Sequence, residues 1–250
     1  MALLLQVKQY LSKKNFGKDE TAPAAGYNLW AASYDNQPDN LMLALDEIVF
    51  TELFNNIDIT NKTVADIGCG TGRHWQQLTD GKPFKLIGFD VSEKMLAILQ
   101  NKFSTAETHL ITEHYLQALP NRSCDLLIST LTIAHIENVT AALKEWARVL
   151  KPGSSIVLTD YHPVALAKGA RRTFSLNGKT IAVKNYIHPI NEIIALAKQL
   201  DLQVLRLLEK SIDDSMHHYY EKQNALVIFE KWKGTPVIYA LHLKKADDIA

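Results

Sequence analysis

The stretch Val64-Ala65-Asp66-Ile67-Gly68-Cys69-Gly70-Thr71-Gly72 narrows the folds open to this chain more than any other. Residues 63–67 read as a short buried strand, three glycines follow at alternate positions, and residues 73–78 read as helical. A strand that turns into a helix through glycines lets backbone approach a ligand with no Cβ in the way. The helix start adds unpaired N–H groups. A polar or anionic ligand is expected to dock there. A second strand over residues 85–89 ends at Asp90, where a carboxylate can accept hydrogen bonds from both hydroxyls of a ribose. A dinucleotide loop of the G-x-G-x-x-G pattern would need glycine where Arg73 stands, which counts against a nicotinamide-dependent oxidoreductase.

From this loop onward strands and helices alternate. Ser92 opens a helix carrying Met95, Leu96 and Leu99, residues 109–112 form a third strand, and residues 124–129 form a fourth with the near-continuous apolar run of a strand buried on both faces. A helix over residues 139–150 stops at Lys151-Pro152-Gly153, and residues 155–159 make the fifth strand. Such alternation predicts right-handed βαβ units and a parallel, doubly wound α/β sheet whose ligands sit beyond the carboxyl ends of the strands. An amphipathic helix over residues 40–56 precedes the sheet. Residues 172–176 and 179–186 flank Asn177-Gly178, a two-residue hairpin turn, and read as an inserted cap. A helix over 190–200, a strand over 203–209 and an extended pair, 225–229 with 236–243, complete the expected elements.

Lys+Arg 27 against Asp+Glu 27 gives no net charge, and 47% hydrophobic with 22% charged residues is the composition of an ordinary folded chain. Nothing global draws the molecule to nucleic acid or to an anionic membrane, so neither is expected as a partner. The two cysteines, Cys69 and Cys124, lack the spacing of a zinc site or a redox pair, and no metal is expected. A reducing, cytoplasmic setting fits them. The apolar run at residues 2–5 is too short for a signal segment, and no stretch is long enough to span a bilayer.

Several motifs in order resemble the class I S-adenosylmethionine-dependent methyltransferases of small-molecule type: Asp66-Ile-Gly-Cys-Gly-Thr-Gly, Asp90-Val91-Ser92-Glu93-Lys94-Met95-Leu96, Leu119-Pro120, Cys124-Asp125-Leu126 and Arg148-Val149-Leu150-Lys151-Pro152-Gly153. The resemblance runs from Tyr27 to about Pro163 and more faintly to the C-terminus. It implies a Rossmann-like seven-stranded sheet whose last strand is antiparallel, S-adenosylmethionine as cofactor, and S-adenosylhomocysteine as product. Carried over, it places Gly68, Cys69 and Gly70 along the methionine part, Asp66 toward its ammonium, Asp90 on the ribose, Val91 and Met95 on either face of the adenine, and Thr130 below the sulfonium. Glu113 is the nearest acid for the adenine amino group.

The expected division is a single domain over residues 1–250. It comprises an N-terminal helical cover (1–56), a cofactor core (57–162), an inserted hairpin cap (163–190) and C-terminal elements (191–250). Tyr27, Trp30 and Tyr34 resemble the segment that folds over the cofactor in small-molecule members. Tyr161, Phe174 and Tyr186, with Arg171 or Arg172, would complete the acceptor pocket, and these aromatics favour an aromatic or apolar small molecule. His162, directly after the fifth strand, is the first candidate for general base and His135 the second. His217-His218 would face opposite sides of a strand, which argues against a metal pair. The rival to a methyltransferase is a non-catalytic S-adenosylmethionine-binding protein of the same fold. No feature fixes an oligomeric state.

Overall fold

Apolar residues at alternate positions on successive strands supply both faces of one sheet. Val64, Leu126, Ile128, Val157, Ile238 and Ala240 bury into one cluster, while Ala65, Ile67, Leu127, Ile156, Leu158 and Leu241 bury into another on the opposite face. The computed structural model describes residues 20–112 and 115–248. In chain order, β1 (Glu20–Thr21) leads into α1 (Pro23–Tyr34), which starts on a proline suited to a first helical turn. Next comes α2 (Leu41–Phe54), capped by Asn40 Oδ1, which accepts from the Met42 and Leu43 amides at 3.1 and 3.2 Å. The alternating core follows: β2 (Thr63–Ile67), α3 (Trp75–Asp80), β3 (Lys85–Asp90), α4 (Glu93–Lys102), β4 (Glu107–Leu110), β5 (Cys124–Thr130), α5 (Val139–Val149) and β6 (Leu150–Tyr161). Beyond it lie α6 (Pro163–Ala167), β7 (Arg172–Leu176), β8 (Lys179–Val183), α7 (Ile190–Gln199), β9 (Leu202–Ser211), α8 (His217–Glu221), α9 (Leu226–Trp232) and β10 (Pro236–Lys245).

Among the described residues the main sheet has seven strands in the order β4-β3-β2-β5-β6-β10-β9. The first five are parallel, and β10 enters antiparallel between β6 and β9. This is the Rossmann-like, doubly wound sheet with an antiparallel last strand. The strand order reverses beside β2, so the crevice opens above the ends of β2, β3 and β5. A second sheet of three strands, β1-β8-β7, carries the hairpin turned at Asn177-Gly178, with Glu20 and Thr21 paired parallel to Ala182 and Val183. The hairpin and the N-terminal segment therefore share a sheet, and α1 packs on it.

Two elements differ from expectation. Residues 225–229 are not extended: Leu226–Trp232 is a helix, because Ala225, Ile228, Phe229 and Trp232 at helical spacing pack against the core, whereas Val227 stands 77% exposed. His217 and His218 lie on a short helix rather than a strand, where successive residues are about 100° apart. The fifth strand also begins earlier than 155, since Leu150 pairs with Cys124 and residues 151–154 loop out before Ser155 meets Leu126. Both cysteines are buried and unpaired. Among the described residues no helix is long and apolar enough to cross a membrane.

Candidate active site

The turn out of β2 folds back on β3: the amides of Gly68 and Cys69 both donate to Phe89 O, at 2.7 and 3.1 Å. Gly68 takes φ +73°, and a Cβ there would run into Thr132. Gly70 takes φ +54°, but a Cβ on it would meet nothing within 4 Å. One glycine is demanded by packing against the chain and the other faces open space.

Two buried carboxyls flank this loop. Asp66 accepts from Trp75 Nε1 at 2.8 Å, and burial pushes it up to about 7. Asp90 accepts from the Gly70 amide through Oδ2 and from the Ser92 amide through Oδ1, each at 2.8 Å, and burial pushes it up to about 6. A carboxylate has roughly four lone-pair sites and the Val91 amide also acts on Asp90, so one is left for a further donor.

Helix α1 closes over the loop through four ties. Asn28 Oδ1 accepts from Ser92 Oγ and the Lys94 amide at 2.8 and 3.1 Å, holding the helix to the start of α4. Asp35 accepts from Thr71 Oγ1 at 2.6 Å and pairs with Lys102 at 2.7 Å. Between these ends, Tyr27 OH bonds His135 Nε2 at 2.8 Å and Tyr34 OH accepts from Arg172 at 3.1 Å. His135 Nδ1 lies 2.8 Å from Lys184 O, an acceptor only, so Nδ1 carries the hydrogen and Nε2 accepts the Tyr27 hydroxyl proton. Burial, reinforced by the nearby Arg172 charge, lowers His135 to about 3 and keeps it neutral.

Beneath the cover lies a cavity of about 580 Å³, within the size of ligand pockets, roughly 300–1,000 Å³. Of the sequence-derived candidates, Asp66, Gly68, Cys69, Gly70, Asp90, Val91, Met95, Thr130, Tyr27, Tyr34, Tyr186 and His135 line it. Four do not. Trp30 and Phe174 stack on each other, centroids 4.9 Å apart, inside a buried cluster behind the wall. The Tyr161 ring backs the Arg172 guanidinium at 5.6 Å. His162 is 5% exposed and turned away: its Nδ1 accepts from the Val164 amide at 3.1 Å, capping α6, and its Nε2 bonds Glu209 of β9 at 2.7 Å. Glu113 lies outside the described residues.

The cavity also exposes groups that motif reading passed over. Arg73 and His74, just after the glycine loop, both bind the buried Asp46, which also accepts from Thr159. Burial opposes ionisation of Asp46, but Arg73 and His74 outweigh it and hold the carboxyl well below the usual range. Arg73 is thereby a strut between α2 and the loop. Asp160, buried near the end of β6, accepts the amides of Ala134 and Tyr161, one on each oxygen and both at 2.6 Å. Among the described residues no three His, Cys, Asp or Glu side chains gather as a metal site.

Residues 65–158 match a family model described as a methyltransferase domain. The chain is 27% identical over 206 residues to a malonyl-[acyl-carrier protein] O-methyltransferase of Marinomonas sp., covering 80% of this chain and 72% of that one. Among solved structures it is similar to an S-adenosylmethionine-dependent methyltransferase from Mesorhizobium loti, with TM-score 0.64 and 17% identity over 83% of this chain and 99% of that one. It is also similar to the [4+2]-cyclase SpnF, with TM-score 0.63 and 14% identity over 92% of this chain and all of that one, 100%. These structural likenesses speak for the fold, which hosts more than one reaction. Added to the glycine loop and the acid that ends β3, they identify residues 65–158 as a methyltransferase domain of an S-adenosylmethionine-dependent enzyme on a Rossmann-like fold.

Proposed function

We propose that this enzyme methylates a small molecule held beneath α1 and the β7–β8 hairpin, in a pocket continuous with the cofactor site. The observation that carries this is the extent of the cavity, which reaches from Asp90 and Val91 at the end of β3 to His135, Tyr186 and Arg172 beyond the end of β5. S-adenosylmethionine supplies a methyl group on a positively charged sulfur, and displacement from that sulfur needs alignment and exclusion of water. The chain's residues fit those needs. Asp90 offers its remaining lone-pair site to the ribose hydroxyls, and Val91 and Met95 offer apolar faces to a base. Gly68, Cys69 and Gly70 leave room for the amino-acid part beside Asp66, and Thr130 lines the cavity at the end of β5, where it would lie below the sulfonium. Tyr27, Tyr34 and Tyr186 form the acceptor wall. His135, held neutral, positions the Tyr27 hydroxyl rather than drawing a proton itself. His162 has no part in this reading.

Asp66 and Asp90 make cofactor binding depend on pH. In the ligand-free protein burial holds Asp66 mostly protonated at pH 6, whereas a neighbouring ammonium favours its ionised form, so binding releases a proton. Affinity for S-adenosylhomocysteine is expected to rise about tenfold from pH 6 to pH 7, roughly fivefold from Asp66 and twofold from Asp90, to level off near pH 8, and to fall more steeply below pH 6. Calorimetry across that range checks this, and Asp66→Asn should reduce the change between pH 6 and 7 to about twofold, the part due to Asp90.

The function itself is tested by supplying methyl-labelled S-adenosylmethionine with a panel of phenols, quinols, amines and carboxylates. Label should appear in a small-molecule product, and His162→Gln should leave the rate within about twofold. S-adenosylhomocysteine binding without transfer to any class would favour the non-catalytic rival.

A further inference from the structure

Six arginines occur in the chain, and all lie within the described residues. Five have a carboxylate within 4 Å: Arg73 with Asp46, Arg122 with Asp248, Arg148 with Glu145, Arg171 with Glu20 and Arg206 with Glu52. Arg172 has none among the described residues, yet it is 4% exposed and lines the cavity. A buried guanidinium without a paired anion is costly, so its position demands a reason. Its protein contacts are neutral. Nη2 donates to Tyr34 OH at 3.1 Å, Nη1 reaches Leu131 O at 3.5 Å, and the rings of Tyr27 and Tyr161 lie 6.0 and 5.6 Å from the guanidinium carbon. Asp160 acts on it only through space, since no oxygen of Asp160 comes within 4 Å of the guanidinium nitrogens. With five N–H donors on a guanidinium and two engaged, three are left without a protein acceptor among the described residues.

The local backbone is shaped around this charge. Leu131 adopts φ +53°, uncommon for leucine, and its carbonyl is one of the two acceptors for Arg172. Just before the hairpin the neighbouring Arg171 turns to Glu20 and the carbonyls of Leu166 and Ala170, so of the two arginines around the start of β7 one is buried and the other is not. Across the sheet, Asp90 ends β3, while Arg172 sits against Leu131 after β5 and Tyr161 at the end of β6. That is two to three strand spacings away, on the order of 10–14 Å at about 4.8 Å each. The guanidinium thus marks the acceptor end of the cavity.

We propose that Arg172 is the specificity-determining anchor for a carboxylate on the methyl acceptor, with Tyr34 steering its fork, so that the acceptor is an anionic small molecule rather than a neutral one. Planar carboxylate and guanidinium match in a two-bond fork, which fixes the orientation of the molecule as well as its charge. The inference rests on the small-molecule methyltransferase reading and revises the apolar acceptor that the aromatics suggested: the decisive feature is a local charge.

The test uses enzyme saturated with S-adenosylhomocysteine and titrated calorimetrically with benzoate, phenylacetate and their amides. Wild type should bind the carboxylates at least tenfold more tightly than the amides. Arg172→Met should abolish that preference while leaving S-adenosylhomocysteine affinity within about threefold, and Tyr34→Phe should weaken the carboxylates a few-fold. Equal affinity for acids and amides, or no binding of any of the four probes, overturns the proposal. So does a tenfold loss of S-adenosylhomocysteine affinity in Arg172→Met, which would assign the arginine to the cofactor's own carboxylate. If wild type does not bind S-adenosylhomocysteine at all, it is the underlying methyltransferase reading that fails.

Discussion

Asp90→Ala is expected to weaken S-adenosylhomocysteine binding by about 10- to 150-fold, the equivalent of the roughly 1.5–3 kcal/mol carried by hydrogen bonds to a charged group. The side chain works in two directions. Toward the ligand it presents the lone-pair site that the backbone amides leave; toward the protein, through the Gly70 and Ser92 amides, it joins the glycine loop to the start of α4. Alanine removes both, so a modest fall in melting temperature should accompany the loss of affinity. Asp90→Asn separates the two effects. The amide keeps the volume but has one acceptor oxygen, so it can hold one of the two backbone N–H groups and turns a donor toward the other. Its affinity loss should lie between wild type and alanine. Calorimetric titration of the three proteins, with thermal melts in parallel, checks the prediction, and indistinguishable affinities would remove Asp90 from the ribose site.

Much of this site can be read directly from residues whose role is local. The glycine loop and Asp90 are placed by the ends of two adjacent parallel strands, β2 and β3, and the strand from 63 to 67 falls where its apolar run puts it. Readings fail where lateral position decides. His162 follows β6 directly, and every residue at that edge looks like a candidate from sequence. Its side chain nevertheless reaches sideways to Glu209 on the edge strand β9 and down to cap α6, a direction set by strand order rather than by residue order. Arg171 and Arg172 are equivalent as text, and only the fold, which buries Arg172 against Tyr34 and turns Arg171 to Glu20, settles which one points inward. Trp30 and Phe174 are aromatic and close to the pocket, but they satisfy each other in a stack. Local pattern also misleads at residues 225–229, where a branched apolar run suits a strand until the spacing of Ala225, Ile228 and Phe229 is weighed against it.

The two loop glycines make the sharpest contrast between folding and binding. Gly68→Ala combines a positive φ, about 1–2 kcal/mol for a residue with a Cβ, with a collision against Thr132, typically 1–3 kcal/mol for overpacking. A loss on the order of 2–5 kcal/mol should lower the melting temperature by about 10 °C in a chain of this length. Thr132 has little freedom to yield, because its hydroxyl donates to Thr130 O at 2.9 Å. Gly70→Ala meets no neighbour, so its cost to folding is limited to the φ penalty, about 1–2 kcal/mol. Its methyl group, however, would stand in the cavity and beside the amide that binds Asp90, in the space a ligand needs. The expected outcome is a folded protein whose S-adenosylhomocysteine affinity falls at least tenfold. Thermal melts and titrations on the pair therefore separate two reasons for glycine within three residues of chain: Gly68 is small because Thr132 is packed against it, and Gly70 is small because the cofactor must be. If Gly70→Ala bound as tightly as wild type, the open side of the loop would not face the cofactor, and the placement of the amino-acid moiety along residues 68–70 would have to be given up.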